Sequence, residues 1–249
     1  METLLLKPTF IAHRGYAAAF PENTLIALDA AREAGAEFVE VDIQLSLDHV
    51  PVLYHDRDLQ RLCKQTGAIH EYTFSELCNF NVSDPEKFSD IYNNNKITSL
   101  QVFVDYLRKH IALKAFIELK RSMIDEFGED LVLKTLLPMF EGMQEQIVFI
   151  SYNQSILKNI HIHSHYATGI VVDDWSEYEQ HADWESEWLF CSVEGLPEDN
   201  SELKIKPKIA VFEVGNIGLA KHLLAKGIRY LETFRIKEML DFFGKESEE

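Results

Sequence analysis

The sequence has no long apolar run. No stretch approaches the ~20 residues of a membrane span. The opening "METLLLKPTF" has too short an apolar part, and no basic flank or cleavage site, to read as a secretory signal. Cysteine is scarce. Cys63, Cys78 and Cys191 are odd in number and lack metal-type spacing, so reduced, partly buried thiols are expected in place of a disulfide framework or zinc site. Positive charge is also short, with 24 Lys and Arg against 41 Asp and Glu and a formal net charge of -17. Nucleic-acid binding needs a basic footprint, which is missing. There is no internal repeat, and "NNN" at 93–95 is too short to count as low complexity. These absences predict a soluble, cytoplasmic protein with no nucleic-acid partner and no stable membrane insertion; they say nothing of oligomeric state.

What is present is a large apolar fraction, 46% of 249 residues. A core of that size needs neither disulfides nor a structural metal. Strand-like and helix-like segments alternate. "TFIAH" precedes "NTLIALDAAREAG", with Asn23 or Thr24 as N-cap and Gly35 as the stop. "EFVEVDIQL", "VPVLYH", "KAFIELK", "QIVFIS", "YATGIVVD", "EWLFCSV", "KIAVFEV" and "IRYLETF" read as further strands with helical or loop segments among them. Such alternation argues for a parallel sheet. About eight units in a chain of this length favour a closed (β/α)8 barrel, a TIM barrel, as one domain over residues 1–249. Residues 57–98 break the rhythm. They are polar, with a short helix signal at "TFSELCNF", and read as an insertion after an early strand.

The strand "FVEVDIQL" places Val39, Val41, Ile43 and Leu45 on one face and Glu40, Asp42 and Gln44 on the other. Two readings fit it: an edge strand with a wet polar face, or carboxylates turned into a barrel. Unpaired, the second arrangement is expensive. "KAFIELK" repeats the pattern, with Ile117 and Leu119 opposite Glu118 and Lys120. Three carboxylates near the C-terminal ends of strands make a hard oxygen site suited to Mg²⁺ or Ca²⁺. His13 closes "TFIAH" and His55 closes "VPVLYH"; two imidazoles can serve as acid and base around one reacting centre. The other eight histidines read as solvated surface.

Five short motifs, "HRG" at 13–15, "PENT" at 21–24, "EVD" at 40–42, "HD" at 55–56 and "ELK" at 118–120, stand in an order and spacing that resemble the glycerophosphodiester phosphodiesterase family. "LQRLCKQTGAIHEYTFSEL", "KITSLQVFVDYL" and "ISYNQSIL" extend the likeness. The resemblance implies a TIM barrel with a small insertion. It implies one divalent cation, Mg²⁺ or Ca²⁺, held by Glu40, Asp42 and Glu118. It also implies His13 and His55 as the catalytic pair, and Arg14 and Lys120 in contact with phosphate.

The expected activity is hydrolysis of glycerophosphodiesters, small-molecule substrates such as glycerophosphocholine, to glycerol 3-phosphate and an alcohol. One alternative is a lysophospholipase D, with an apolar groove that could use Phe80, Phe88 and Tyr92. Another is a ligand-binding relative without activity. The chain departs from the family pattern at Thr98, at Phe212 and in "YLETFRI", which lacks the usual aspartate and proline after the last strand.

Overall fold

Eight short strands rich in β-branched and aromatic residues lie parallel and close on themselves. They are β1 (Thr9–Ala12), β2 (Phe38–Leu45), then, after two short antiparallel strands β3 (Pro51–Leu53) and β4 (Thr98–Ser99), β5 (Lys114–Leu119), β6 (Ile147–Ser151), β7 (Ala167–Val172), β8 (Trp188–Ser192), β9 (Lys208–Phe212) and β10 (Tyr230–Thr233). β1 pairs with β10 on one side and β2 on the other, which seals the barrel. This is a (β/α)8 barrel. The structure, a computed structural model, describes residues 7–179 and 186–246. The first residues of "METLLLKPTF", the end of "GKESEE" and His181 with its acidic surroundings lie outside the described residues. Among the described residues, no helix is long and apolar enough to cross a membrane.

One strand expectation needs correction. "VPVLYH" contributes only Pro51–Leu53, paired antiparallel to β2, so it is not a barrel strand. The turn Ser46–Val50 is too short for the crossover a parallel partner requires. β3 and β4 instead extend β2 beyond the barrel rim and carry the insertion.

The sheet has two faces with different work. Outward, Val39, Val41, Ile43 and Leu45 join the large core under the helices. Inward, Ile11, Phe116, Ile150, Val171, Trp188, Phe190 and Ala210 pack into an apolar plug. Burial of each large member contributes about 1.5–3 kcal/mol. The insertion has its own small core around Tyr54, Leu59, Leu62, Ile69 and Leu77. It docks on the loop after β1, where Lys87 Nζ donates to the Ala17 carbonyl (2.6 Å) and the Tyr92 hydroxyl to that of Ala19 (2.9 Å).

Candidate active site

The segment after β1 is shaped by backbone constraints. Arg14 takes φ 56° and Gly15 φ 82°, both in the left-handed region. A Cβ on Gly15 would lie 2.7 Å from the Ala27 carbonyl carbon in the helix Leu25–Glu33, so no larger residue fits. The tight turn aims the Arg14 N–H at Glu40 Oε2, 3.1 Å away. "PENT" then supplies three contacts in a row. Glu22 Oε1 accepts from Arg14 Nη1 (3.0 Å), and Asn23 Nδ2 donates to Asp42 Oδ2 (2.8 Å). Thr24 caps the helix by accepting from the Ala27 N–H.

On β2 the inward reading of the carboxylates holds. Glu40 and Asp42 are 1% and 0% exposed, and Gln44 is buried beside them. Asp42 sits in register with Glu118 of β5. Lys120 bridges the two, 2.8 Å from Glu118 Oε1 and 3.2 Å from Asp42 Oδ1, while Arg14 Nε lies 3.2 Å from Asp42 Oδ2. Gln44 ties this wall to the segment that leads into the insertion and to the helix Arg121–Phe127. Its Nε2 donates to the carbonyls of His55 and Asp56, and its Oε1 accepts from Ser122.

Past β3, His55 Nδ1 lies 2.7 Å from Asp56 Oδ1. Arg61 of the insertion clamps Asp56 and Glu22 together, donating two hydrogen bonds to each. His13 is 6% exposed, and its ring stacks on Phe234 with centroids 4.5 Å apart. All of His13, Arg14, Glu40, His55, Glu118 and Lys120 line one cavity of about 180 Å³. A larger cavity, about 310 Å³, lies at the opposite end by Pro8, Gly35 and Arg229, away from these groups.

The electrostatics follow from burial and neighbours. Burial pushes the Glu40 carboxyl well up, and the charges of Asp42, Glu232 and Glu118 add to this. Burial acts on Asp42 too, but Lys120 and Arg14 outweigh it and hold that carboxyl far below the usual range. Burial, with Arg14 beside it, lowers His13 well below the ordinary imidazole value. For Asp56, hydrogen bonds from His55 and Arg61 overcome the cost of burial and depress the carboxyl.

One ligand atom from each of Glu40, Asp42 and Glu118 falls within 4.8 Å of the others, a group that can hold a metal ion. Glu40 Oε1 is buried without a hydrogen-bond partner, which an oxygen-seeking cation would satisfy. The seven residues singled out from sequence therefore come together.

Several neighbours were not anticipated: Glu22, Asn23, Asp56 and Arg61 as a network, and Glu213 and Glu232 on the far wall. Glu232 had a signal in "YLETF", whose alternation places a carboxylate on one face as in β2. The aromatics of the insertion face each other: Phe80 packs on Tyr72, and Tyr92 on Phe88 and Phe20. Among the other histidines, His49, His161, His163, His165 and His222 are exposed as expected. His70 and His110 are half-buried, and His70 lies 3.5 Å from Glu126.

Comparison with known proteins gives the family and the fold. Residues 13–215 match the glycerophosphoryl diester phosphodiesterase family. The chain is 28% identical over 150 residues to a glycerophosphodiester phosphodiesterase of Bacillus altitudinis, covering 60% of each. It is 34% identical over 110 residues to human glycerophosphodiester phosphodiesterase 1, covering 43% of this chain and 33% of the human protein. The matched segments thus span less than two thirds of these relatives.

The fold resembles that of an Oleispira antarctica phosphodiesterase in complex with the product sn-glycerol-3-phosphate. The TM-score is 0.80 at 24% identity, over 94% of this chain and 96% of the other. It also resembles a glycerophosphodiester phosphodiesterase from Agrobacterium tumefaciens, with a TM-score of 0.74 at 19% identity over 94% and 99%. The family match begins at His13, directly after β1, and takes in β2 and β5, the strands that carry Glu40, Asp42 and Glu118. This chain accordingly belongs to the glycerophosphoryl diester phosphodiesterase family.

Proposed function

We propose that this chain hydrolyses glycerophosphodiesters, such as glycerophosphocholine or glycerophosphoethanolamine, to glycerol 3-phosphate and an alcohol. The observation that carries this reading is the convergence of an oxygen-rich ligand group, two imidazoles and two cations on one cavity. Glu40, Asp42 and Glu118 hold one divalent cation, Mg²⁺ or Ca²⁺, which when bound supplies Lewis-acid charge at a phosphoryl oxygen.

Arg14 and Lys120 orient the phosphodiester and offset charge developing on it. Both are themselves anchored by carboxylates, which orients their charge at the site. His55 acts as general acid. Asp56, held ionised by hydrogen bonds from His55 and Arg61, fixes the imidazole ring through Nδ1. His13, kept neutral by burial, accepts the proton of the nucleophile.

Turnover of a diester panel with several metals tests this. Hydrolysis of glycerophosphocholine, abolished by chelation and restored by Mg²⁺ or Ca²⁺, is the expected result. Hydrolysis of lysophosphatidylcholine alone would point to the lysophospholipase D alternative. No hydrolysis of any diester with excess metal would overturn the reading.

A further inference from the structure

β10 carries a carboxylate that the proposed chemistry leaves without a role. Glu232 is 3% exposed, and its Oε1 has no hydrogen-bond partner. Burying such a group unpaired is costly. It lies beyond residue 215, where the family match ends. Glu40 Oε1 and His13 Nδ1 are likewise buried without a hydrogen bond. One ligand atom from each of His13, Glu40 and Glu232 lies within 4.8 Å of the other two. The nearby permanent cations are committed elsewhere, Arg14 to Glu22 and Asp42, and Lys120 to Asp42 and Glu118.

We propose that His13, Glu40 and Glu232 form a second cation site beside the all-oxygen one, sharing Glu40 and suited to a borderline divalent ion such as Zn²⁺. The donor chemistry differs between the two sites. Glu40, Asp42 and Glu118 offer oxygen only, the preference of Mg²⁺ and Ca²⁺. His13 adds an imidazole nitrogen, and one imidazole with two carboxylates is a ligand set that Zn²⁺ takes readily. Glu40 has two carboxylate oxygens and can serve both ions.

Charge favours a second ion. Among the described residues that line the cavity, four carboxyls, Glu40, Glu118, Glu213 and Glu232, outnumber the two permanent cations, Arg14 and Lys120. Glu213 stands on the side of the second site, its Oε1 3.5 Å from His13 Nδ1. The imidazole is already oriented by its stacking on Phe234. Where the proposed function holds, on which this consequence alone rests, an ion here removes His13 from proton transfer, and zinc inhibits the magnesium-loaded enzyme.

Equilibrium dialysis of the full chain, saturated with Mg²⁺, against low Zn²⁺ with analysis of both metals tests the site. The expected result is one zinc per chain with the magnesium retained. Zinc affinity should fall at least ~10-fold in Glu232→Gln and in His13→Ala. Co²⁺ in place of zinc should give a visible absorption band that Glu232→Gln loses. If Glu232→Gln fails to fold, Glu232→Asp, which draws the carboxylate back by one methylene, should show the same loss.

The proposal is overturned if the magnesium-loaded chain takes no zinc, if zinc merely displaces magnesium, or if the variants bind zinc like the parent. Zinc held by the exposed His161, His163 and His165 would give that last result. Dialysis does not depend on turnover. Zinc binding without hydrolysis leaves this site standing and overturns the proposed function; hydrolysis without zinc binding does the reverse.

Discussion

On the β1, β2 and β5 side of the barrel the charges interlock. Arg14 joins Glu22 and Asp42, and Lys120 joins Asp42 and Glu118. On the β10 side Glu232 is about as deeply buried as Asp42, yet its Oε1 is unpartnered. The two carboxyls shift in opposite directions. Burial raises both, but only Asp42 has cations in contact to reverse the effect. Burial alone does not decide whether an interior carboxylate stabilises or strains the fold; the neighbouring cation does.

The largest expected effect breaks the interlocked side. The double variant Glu40→Ala, Asp42→Ala should lose turnover by at least about 10³-fold, on the order of 4 kcal/mol of transition-state stabilisation. A steady-state assay on glycerophosphocholine reads this, and full activity would remove the metal from the mechanism. Next in size is stability. Asp42→Ala leaves Arg14 and Lys120 short of a partner and should destabilise the metal-free fold by about 3 kcal/mol in urea. His55→Ala and His13→Ala should each cost about 10²-fold in rate. Near-parental turnover of either would take that imidazole out of the chemistry.

The smaller effects sharpen the contrast. Glu232→Leu removes an unsatisfied carboxyl and should stabilise the metal-free protein by about 1–2 kcal/mol. A loss as large as that of Asp42→Ala would erase the distinction between the two sides.

pH gives the same comparison a sign. The folded-state values of Glu232 and Glu40 stand above the ordinary 4.5. Their contribution is therefore fully present below that value and is lost as pH rises through the raised values. His13 works oppositely: its lowered value means that acid below about 6.5 favours the unfolded chain. As pH rises above about 4.5 toward the raised value of Glu232, the metal-free parent should therefore gain less stability, or lose more, than Glu232→Gln. Melting curves of the two read the difference, and parallel pH profiles would exclude Glu232 as its source.

Much of the candidate site was legible because β-strands alternate. "FVEVDIQL" and "KAFIELK" displayed their carboxylates on one face, and the apolar face opposite pointed to a buried sheet. "HRG" was legible as a tight turn at a strand end, and Gly15 beside Ala27 gives the steric reason. "VPVLYH" misled because an apolar run of that length serves a barrel strand or a hairpin arm equally well. The short turn before it was the deciding clue. Arg61 was illegible because its partners, Glu22 and Asp56, meet only after the insertion folds back over the loop following β1.

The sequence by itself determined the period of each strand, the caps, the acidic balance and which residue types could carry chemistry, since these depend on near neighbours along the chain. Only the tertiary structure decided which carboxylates face one another. Barrel closure brings β10 against β1, so Glu232, far from Glu40 in sequence, enters the same low-dielectric interior. There its charge depends on groups that no local pattern reveals.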